Sequence, residues 1–263
     1  MINSMQAAII KKDFHSMVSN KRLFPVLIIV PLVFTIVLPS IFILTIHFAL
    51  DEMGPFKMLI NMLPMGKQGD TLNRTLIMLV LNNILPIFFM MIPIMAASVM
   101  AASSFVGEKE KRTLETLLYC PLPLKKIFQS KVWASFLLSM TVSFSSFVVM
   151  LIVVQTQIIL TTGSLLLPDI SWLVMMLVVS PAVSLLAITL IVGGSAKAQT
   201  MEESQQRAII LILPVLLLII GQFTGILLIN AWYLSGAGVV FSLLAAFLMK
   251  NTMRKFTYEA LLR

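Results

Sequence analysis

Glu202, Glu203 and Arg207 are spaced E-E-x-x-x-R, and paired carboxylates with an arginine about one helical turn away can polarise water. Hydrolysis of that kind needs further basic groups to hold and relay a proton. The only histidines are His15 and His47, both far upstream, and none follows Arg207. The plainer reading is that Glu202 and Glu203 open a helix, where negative charge offsets the positive end of its dipole. No Gly-x-x-x-x-Gly-Lys-[Ser/Thr] phosphate loop occurs anywhere in the chain. Cys120 is the single cysteine, so no disulfide can form within the chain. No catalytic residue, cofactor site or metal ligand is assigned.

The densest charge lies in residues 106–131, VGEKEKRTLETLLYCPLPLKKIFQSK, with six basic and three acidic side chains between two uncharged blocks. Gly107 is placed to end the preceding apolar segment. Glu108 with Arg112 and Lys111 with Glu115 are opposite charges four residues apart, a spacing that supports a helix. Leu114, Leu117 and Leu118 form an apolar patch on one side, and Pro121 and Pro123 stop the helix from running on. Lys125, Lys126 and Lys131 then mark re-entry through anionic headgroups. Two readings stand side by side. A short amphipathic helix of this kind suits a groove on another protein; equally, a solvated loop could carry these charges merely to enforce topology.

The surrounding elements are membrane spans. The chain is 59% hydrophobic and 11% charged, whereas a soluble domain has about 25% charged residues. Six segments are long and apolar enough to cross a bilayer, at about 23–50, 76–106, 132–160, 170–192, 208–229 and 231–249. In lipid the backbone must satisfy its own hydrogen bonds, so these are helices, and no alternating strand pattern supports a barrel. The expected fold is an all-α integral membrane protein, one transmembrane domain over 1–263. Both termini face the cytoplasm, because that arrangement puts 16 of the 19 Lys and Arg residues inside and only Lys57, Lys67 and Arg74 outside. The net charge of +8 is therefore a membrane-surface signature, not one for nucleic acid.

Residues 1–22 are not a signal peptide, since the apolar run that follows is too long and lacks a small-residue cleavage site. Ala7, Ile10, Phe14 and Met17 fall on one helical face and predict an amphipathic helix lying on the inner surface. Within the spans, Asn82, Asn83 and Gln222 and the stripe Ser135, Ser139, Ser143 and Ser146 are candidates for a pathway or, more simply, for packing seams. Gly221 and Gly225 form a G-x-x-x-G that serves packing. Pro31, Pro39, Pro86, Pro93, Pro181 and Pro214 predict kinks.

The run GEKEKRTLETLLYCPLP, followed by basic residues and Lys131, resembles the signature of the type 2 ABC exporter permease family (ABC-2 type). Glu108, Glu110, Thr113, Leu114, Glu115, Leu117, Leu118, Pro121 and Lys131 occupy matching places, and Arg112 stands where the family commonly has glycine. IIKKDFHSMVSNKRLFPVLIIVPLVFTIVLP and SAKAQTMEESQQRAIILILP are similar to that family's opening and to its second cytoplasmic segment. The resemblance implies a coupling helix between spans 2 and 3 that docks a separate ABC ATPase. ATP and Mg would then belong to that partner, and Glu202 and Glu203 would offer a second contact with it. It also implies a second permease copy or a sister permease in a dimer, in the cytoplasmic (inner) membrane of a bacterium or archaeon. It would allow Gly221 and Gly225, as the alternative to packing, to loosen the outer end of the fifth span into a re-entrant turn. The scarcity of ionisable groups in the spans favours a hydrophobic or amphipathic cargo such as a drug, peptide or lipid-like molecule, with an ion as the alternative. E-E-x-x-x-R also resembles the first motif of intramembrane CAAX-type proteases, without their downstream histidines. A passive channel or membrane scaffold is the third reading.

Overall fold

A computed structural model of the chain describes residues 4–21, 23–48, 70–110, 123–163, 165, 168–195, 198–223 and 231–255. Among them the regular structure is helical, with no strand. Six helical runs have the length and apolarity of membrane spans: Leu23–Ile46, Arg74–Glu110, Leu124–Thr161, Ile170–Ser195, Met201–Gln222 and Trp232–Met253. We number them spans 1 to 6; a surface helix, α1 (Ser4–Val18), precedes them. The end bearing Lys12, Lys125, Lys126 and Arg207 is the cytoplasmic end by the positive-inside rule. The fold is thus the six-span all-α protein expected.

Span 2 is the hub, with 89% of its apolar window buried against 17% for span 6. Its inner half explains this: Ala96, Ala97, Ser98, Ala101, Ala102 and Ser104 are small and buried, which lets spans 3 and 4 pack closely against it. Span 4 in turn carries span 6 on its other side. The outward faces keep exposed Ile41, Phe144, Ile152, Leu177, Leu217 and Phe247, a surface that suits hydrocarbon and not water. Toward the outer end, Phe89, Phe147 and Trp172 from spans 2, 3 and 4 meet with ring centroids 5.7–6.0 Å apart. Aromatic rings in such tilted and edge-on arrangements add to the stabilisation from burial alone.

Three of the six prolines expected to kink the spans act through widened turns. Pro39, Pro86 and Pro181 each lie two residues after a π turn, at Val33–Val37, Val80–Ile84 and Met175–Val179. In each case the residue before the proline donates its N–H five residues back: Leu38 to Val33, Leu85 to Val80 and Ser180 to Met175. A proline has no N–H to give and its ring crowds the carbonyl four residues back, so one wide turn accommodates it without breaking the helix. Pro31 and Pro214 sit inside ordinary α-helix.

Two expected boundaries are corrected. Gly107 does not end span 2; the helix runs through it to Glu110. Its role is close approach, because a Cβ there would stand 3.2 Å from the Met201 sulfur. Span 3 begins at Leu124, before the expected 132, so Lys131 is two turns into a helix and buried, not among the headgroups. The reason is electrostatic: Lys131 pairs with Glu108 in the last turn of span 2. Residues 224–230, including Gly225, lie outside the described residues, and with them the boundary between spans 5 and 6 and the G-x-x-x-G reading.

Span 6 meets span 4 through a glycine. A Cβ on Gly238 would lie 2.8 Å from Val178 Cγ1 and 3.5 Å from the Val178 backbone, inside the π turn, whereas one on Gly236 meets nothing within 4 Å. Gly238→Ala is expected to cost about 1–3 kcal/mol through overpacking. Gly236→Ala should be neutral or slightly stabilising, since alanine is the better helix former. Thermal unfolding of the two variants in the same detergent checks the contrast, and equal midpoints would show that the span 4–span 6 contact yields.

Candidate functional site: the cytoplasmic coupling base

The ends of spans 2 and 3 bracket the charged loop and are held together by ions. Glu108, in the last turn of span 2, accepts from Lys12 Nζ at 2.9 Å on Oε1 and pairs with Lys131 Nζ at 2.8 Å on Oε2. Lys131 also donates to the backbone carbonyl of Ser104 and lies 5.5 Å from the centre of the Phe105 ring. The Lys131 side chain is 4% exposed and that of Glu108 11%, whereas Lys12 is 58% exposed. A lysine this deep needs an opposite charge and hydrogen-bond acceptors around it. Glu108 and the Ser104 carbonyl supply them, which is why both helices continue past the point where hydropathy alone would end them.

Helix α1 closes the cluster from the surface. It forms as expected, but its protein-facing side is Ile9, Asp13 and Met17, not the stripe Ala7, Ile10, Phe14 and Met17. Only Met17 is common to both, and Phe14 is exposed. The helix is rotated because Asp13 has a partner: Ser104 Oγ donates to Asp13 Oδ2 at 2.6 Å. Ala7, Ile10 and Phe14 then form the neighbouring edge, suited to the bilayer. Burial pushes the Asp13 carboxyl above the usual carboxylate range, with Lys131 and the Ser104 hydroxyl pulling it back.

The second cytoplasmic segment joins the same base. Thr200 caps the helix Met201–Gln206, its hydroxyl accepting from Glu203 N at 3.2 Å. Glu203 Oε2 reaches back to accept from Gln199 N at 2.9 Å, in the reciprocal manner of a capping box. Met201 N donates to Glu110 Oε2 at 3.2 Å, and its side chain covers Gly107. Glu202 and Glu203 are exposed. Arg207 lays its guanidinium against Gly194, in the space a Cβ would fill. The E-E-x-x-x-R residues therefore serve a cap and a packing contact and do not converge on one point. Among the described residues no group of three or more His, Cys, Asp or Glu could hold a metal.

The polar residues of the spans act mainly as ties. Ser139 Oγ donates to the Pro93 carbonyl at 3.1 Å and lies 3.0 Å from Ser184 Oγ, bridging spans 2, 3 and 4. Ser135 donates to the Lys131 carbonyl one turn back at 3.0 Å. Ser143 and Ser146 are buried on the same face. Asn82 Oδ1 accepts from Asp169 N at 3.0 Å, fastening the outer start of span 4 to span 2, and Asn83 bonds to Leu79 within its own helix. Gln222 is buried, and among the described residues neither end of its amide has a hydrogen-bond partner. These side chains do not assemble into one site.

Of the nine loop residues expected to couple, the structure places two. Glu108 faces inward onto the two lysines, and Glu110 is exposed and holds Met201. Arg112, Thr113, Leu114, Glu115, Leu117, Leu118 and Pro121 lie outside the described residues. Asp13, Ser104 and Lys12 were not foreseen as partners of the loop. The signal that could have found them is Lys131, a cation followed directly by apolar residues, which needs an acidic partner once its helix starts earlier and buries it.

Comparison with curated proteins finds no match to this chain. The family model described as ABC-2 family transporter protein matches residues 7–236, from α1 into span 6. On a match over most of its length, and with six membrane-spanning helices, this chain belongs to the ABC-2 family of transporter proteins.

Proposed function

We propose that the chain is the membrane-spanning subunit of an ATP-driven exporter and that its 107–131 loop docks a separate ATPase, which carries the ATP and Mg. The observation that carries this reading is the base under the loop. One ion cluster links α1, the end of span 2 and the start of span 3, and Glu110 adds the 199–207 segment. A push on the loop would reach all four elements together, which is what coupling to distant spans requires. In this reading Arg112, Thr113, Leu114, Glu115, Leu117, Leu118 and Pro121 form the docking helix, and exposed Glu202 and Glu203 give a second contact. A second permease, identical or a sister, completes the pathway, and the cargo is hydrophobic or amphipathic.

The test is co-purification with the ABC ATPase subunit that this reading requires, from cytoplasmic membranes of the bacterium or archaeon of origin. Leu118→Asp removes apolar contact and buries a carboxylate. Glu115→Lys sets a like charge against its partner's basic groups, a mismatch that costs several kcal/mol. Each should lower recovered ATPase at least tenfold, since about 1.4 kcal/mol is a factor of ten. Both variants should still insert, because the loop keeps its basic residues. If both retain the ATPase and transport normally, the loop is a topological anchor and the reading fails.

A further inference from the structure

We propose that a groove on the outer side of span 3, apart from the coupling base, binds one anionic phospholipid of the cytoplasmic leaflet. The groove encloses about 650 Å³, between Phe128, Val132 and Phe136 of span 3, Leu185 of span 4, and Met249 and Met253 of span 6. From Phe128 to Phe136 is eight residues, about 12 Å along the helix axis. It starts one turn inside the first residues of span 3 and runs toward the middle of the membrane. A mainly apolar groove that follows span 3 at that depth fits an acyl chain better than a compact polar ligand, and two methionines give it walls that adapt to a chain.

The mouth of the groove is polar and basic. Lys125 is exposed and lies three residues before Phe128 and seven before Val132, so it stands on the groove face one turn toward the cytoplasm. Lys250 is exposed beside Met249 and three residues from Met253, at the same end of the opposite wall. Trp133, half exposed, forms the rim and packs edge-on to Phe136 at 5.8 Å. Two lysines flanking an apolar slot at the cytoplasmic surface are complementary to a negative headgroup whose tail enters the slot. Gln6 of α1 borders the same mouth, with Nε2 toward the Lys126 carbonyl at 3.5 Å. The lipid would therefore touch the helix whose Lys12 holds Glu108. This inference does not depend on the transport reading.

The experiment uses the purified full chain in phosphatidylcholine vesicles that contain equal mole fractions of either dibrominated phosphatidylglycerol or dibrominated phosphatidylcholine. Bromine quenches indole fluorescence on contact, and the Trp133 signal is the difference between wild type and Trp133→Phe. Half-maximal Trp133 quenching should need several-fold less of the anionic lipid, since each basic residue near an anionic surface is worth roughly a fivefold preference. Lys125→Gln with Lys250→Gln should bring the two curves together. Both lysines are exposed, so the variant should remain folded, and the wild-type comparison stands without it. Coincident curves in the wild type would overturn the proposal, leaving an ordinary lipid-facing surface. Absence of Trp133 quenching by either lipid would also overturn it, because a protein surface, such as a second copy, would then cover the groove.

Discussion

Glu108→Gln should destabilise the purified protein by about 3–5 kcal/mol, the usual result of stripping the partner from a buried charge. Lys12→Ala, which removes the other ion pair of the same carboxylate, should cost about 1 kcal/mol or less. The difference lies in solvent: Lys131 is 4% exposed and would lose its counter-ion in a buried site, while Lys12 is 58% exposed and is well hydrated without Glu108. Replacing both buried partners, Glu108→Gln with Lys131→Met, should recover most of the loss, because an apolar side chain there no longer needs a counter-ion. Asp13→Asn should cost little, since burial already favours the neutral carboxyl and an amide oxygen can still accept from Ser104. Unfolding of the four variants in mixed micelles measures these differences. Equal losses for Glu108→Gln and Lys12→Ala would mean that Lys131 finds water or another acceptor, and that the stems of the loop are not locked by this pair.

This cluster also marks where hydropathy stops being informative. Six spans and their orientation follow from apolar runs and the distribution of Lys and Arg, because transfer free energy is a sum over residues and needs no knowledge of neighbours. Span ends are different. Lys131 and Glu108 each read as a boundary alone, yet together they neutralise one another and allow both helices to continue. The same applies to α1, where the apolar stripe located the helix but Asp13, through its bond to Ser104, set its rotation. Gly107 read as a stop and is a contact point, because only the fold brings Met201 over it. The E-E-x-x-x-R run read correctly as a helix start, since a cap is local: Thr200, Glu202 and Glu203 suffice to specify it.

The widened turns were legible only as prolines. A uniformly apolar segment has almost no periodicity from which to read a five-residue hydrogen bond, so sequence predicts a kink without its form. Its consequence is a carbonyl count. Where Leu85 bonds back to Val80, it no longer serves Leu81, the residue four before it. The donor five residues beyond Leu81 would be Pro86, which has no N–H. Leu81 is thus deprived of both its ordinary backbone donors in the middle of a buried helix. Trp172 of span 4 supplies the missing one, its indole nitrogen donating to the Leu81 carbonyl at 3.0 Å.

Trp172→Ala is accordingly expected to destabilise by about 3–5 kcal/mol, the range for emptying a buried aromatic site. Trp172 is 1% exposed and takes part in the ring contacts with Phe89 and Phe147, so the loss combines packing with the hydrogen bond. Trp172→Phe separates the two. It keeps a ring against Phe89 and Phe147 but leaves the Leu81 carbonyl without a donor, at about 1–3 kcal/mol. Pro86→Ala should rescue that variant. If the π turn persists, the backbone N–H that this substitution restores can reach Leu81; if the helix relaxes to α, Leu85 N–H can. Either way the carbonyl regains a partner, and in the Pro86→Ala background Trp172→Phe should cost less than about half of what it costs alone. The coupling energy from this double-mutant cycle, measured by unfolding in mixed micelles, is the decisive quantity. Simple additivity would show that Trp172 holds spans 2 and 4 together by packing alone and that the orphaned carbonyl is satisfied elsewhere.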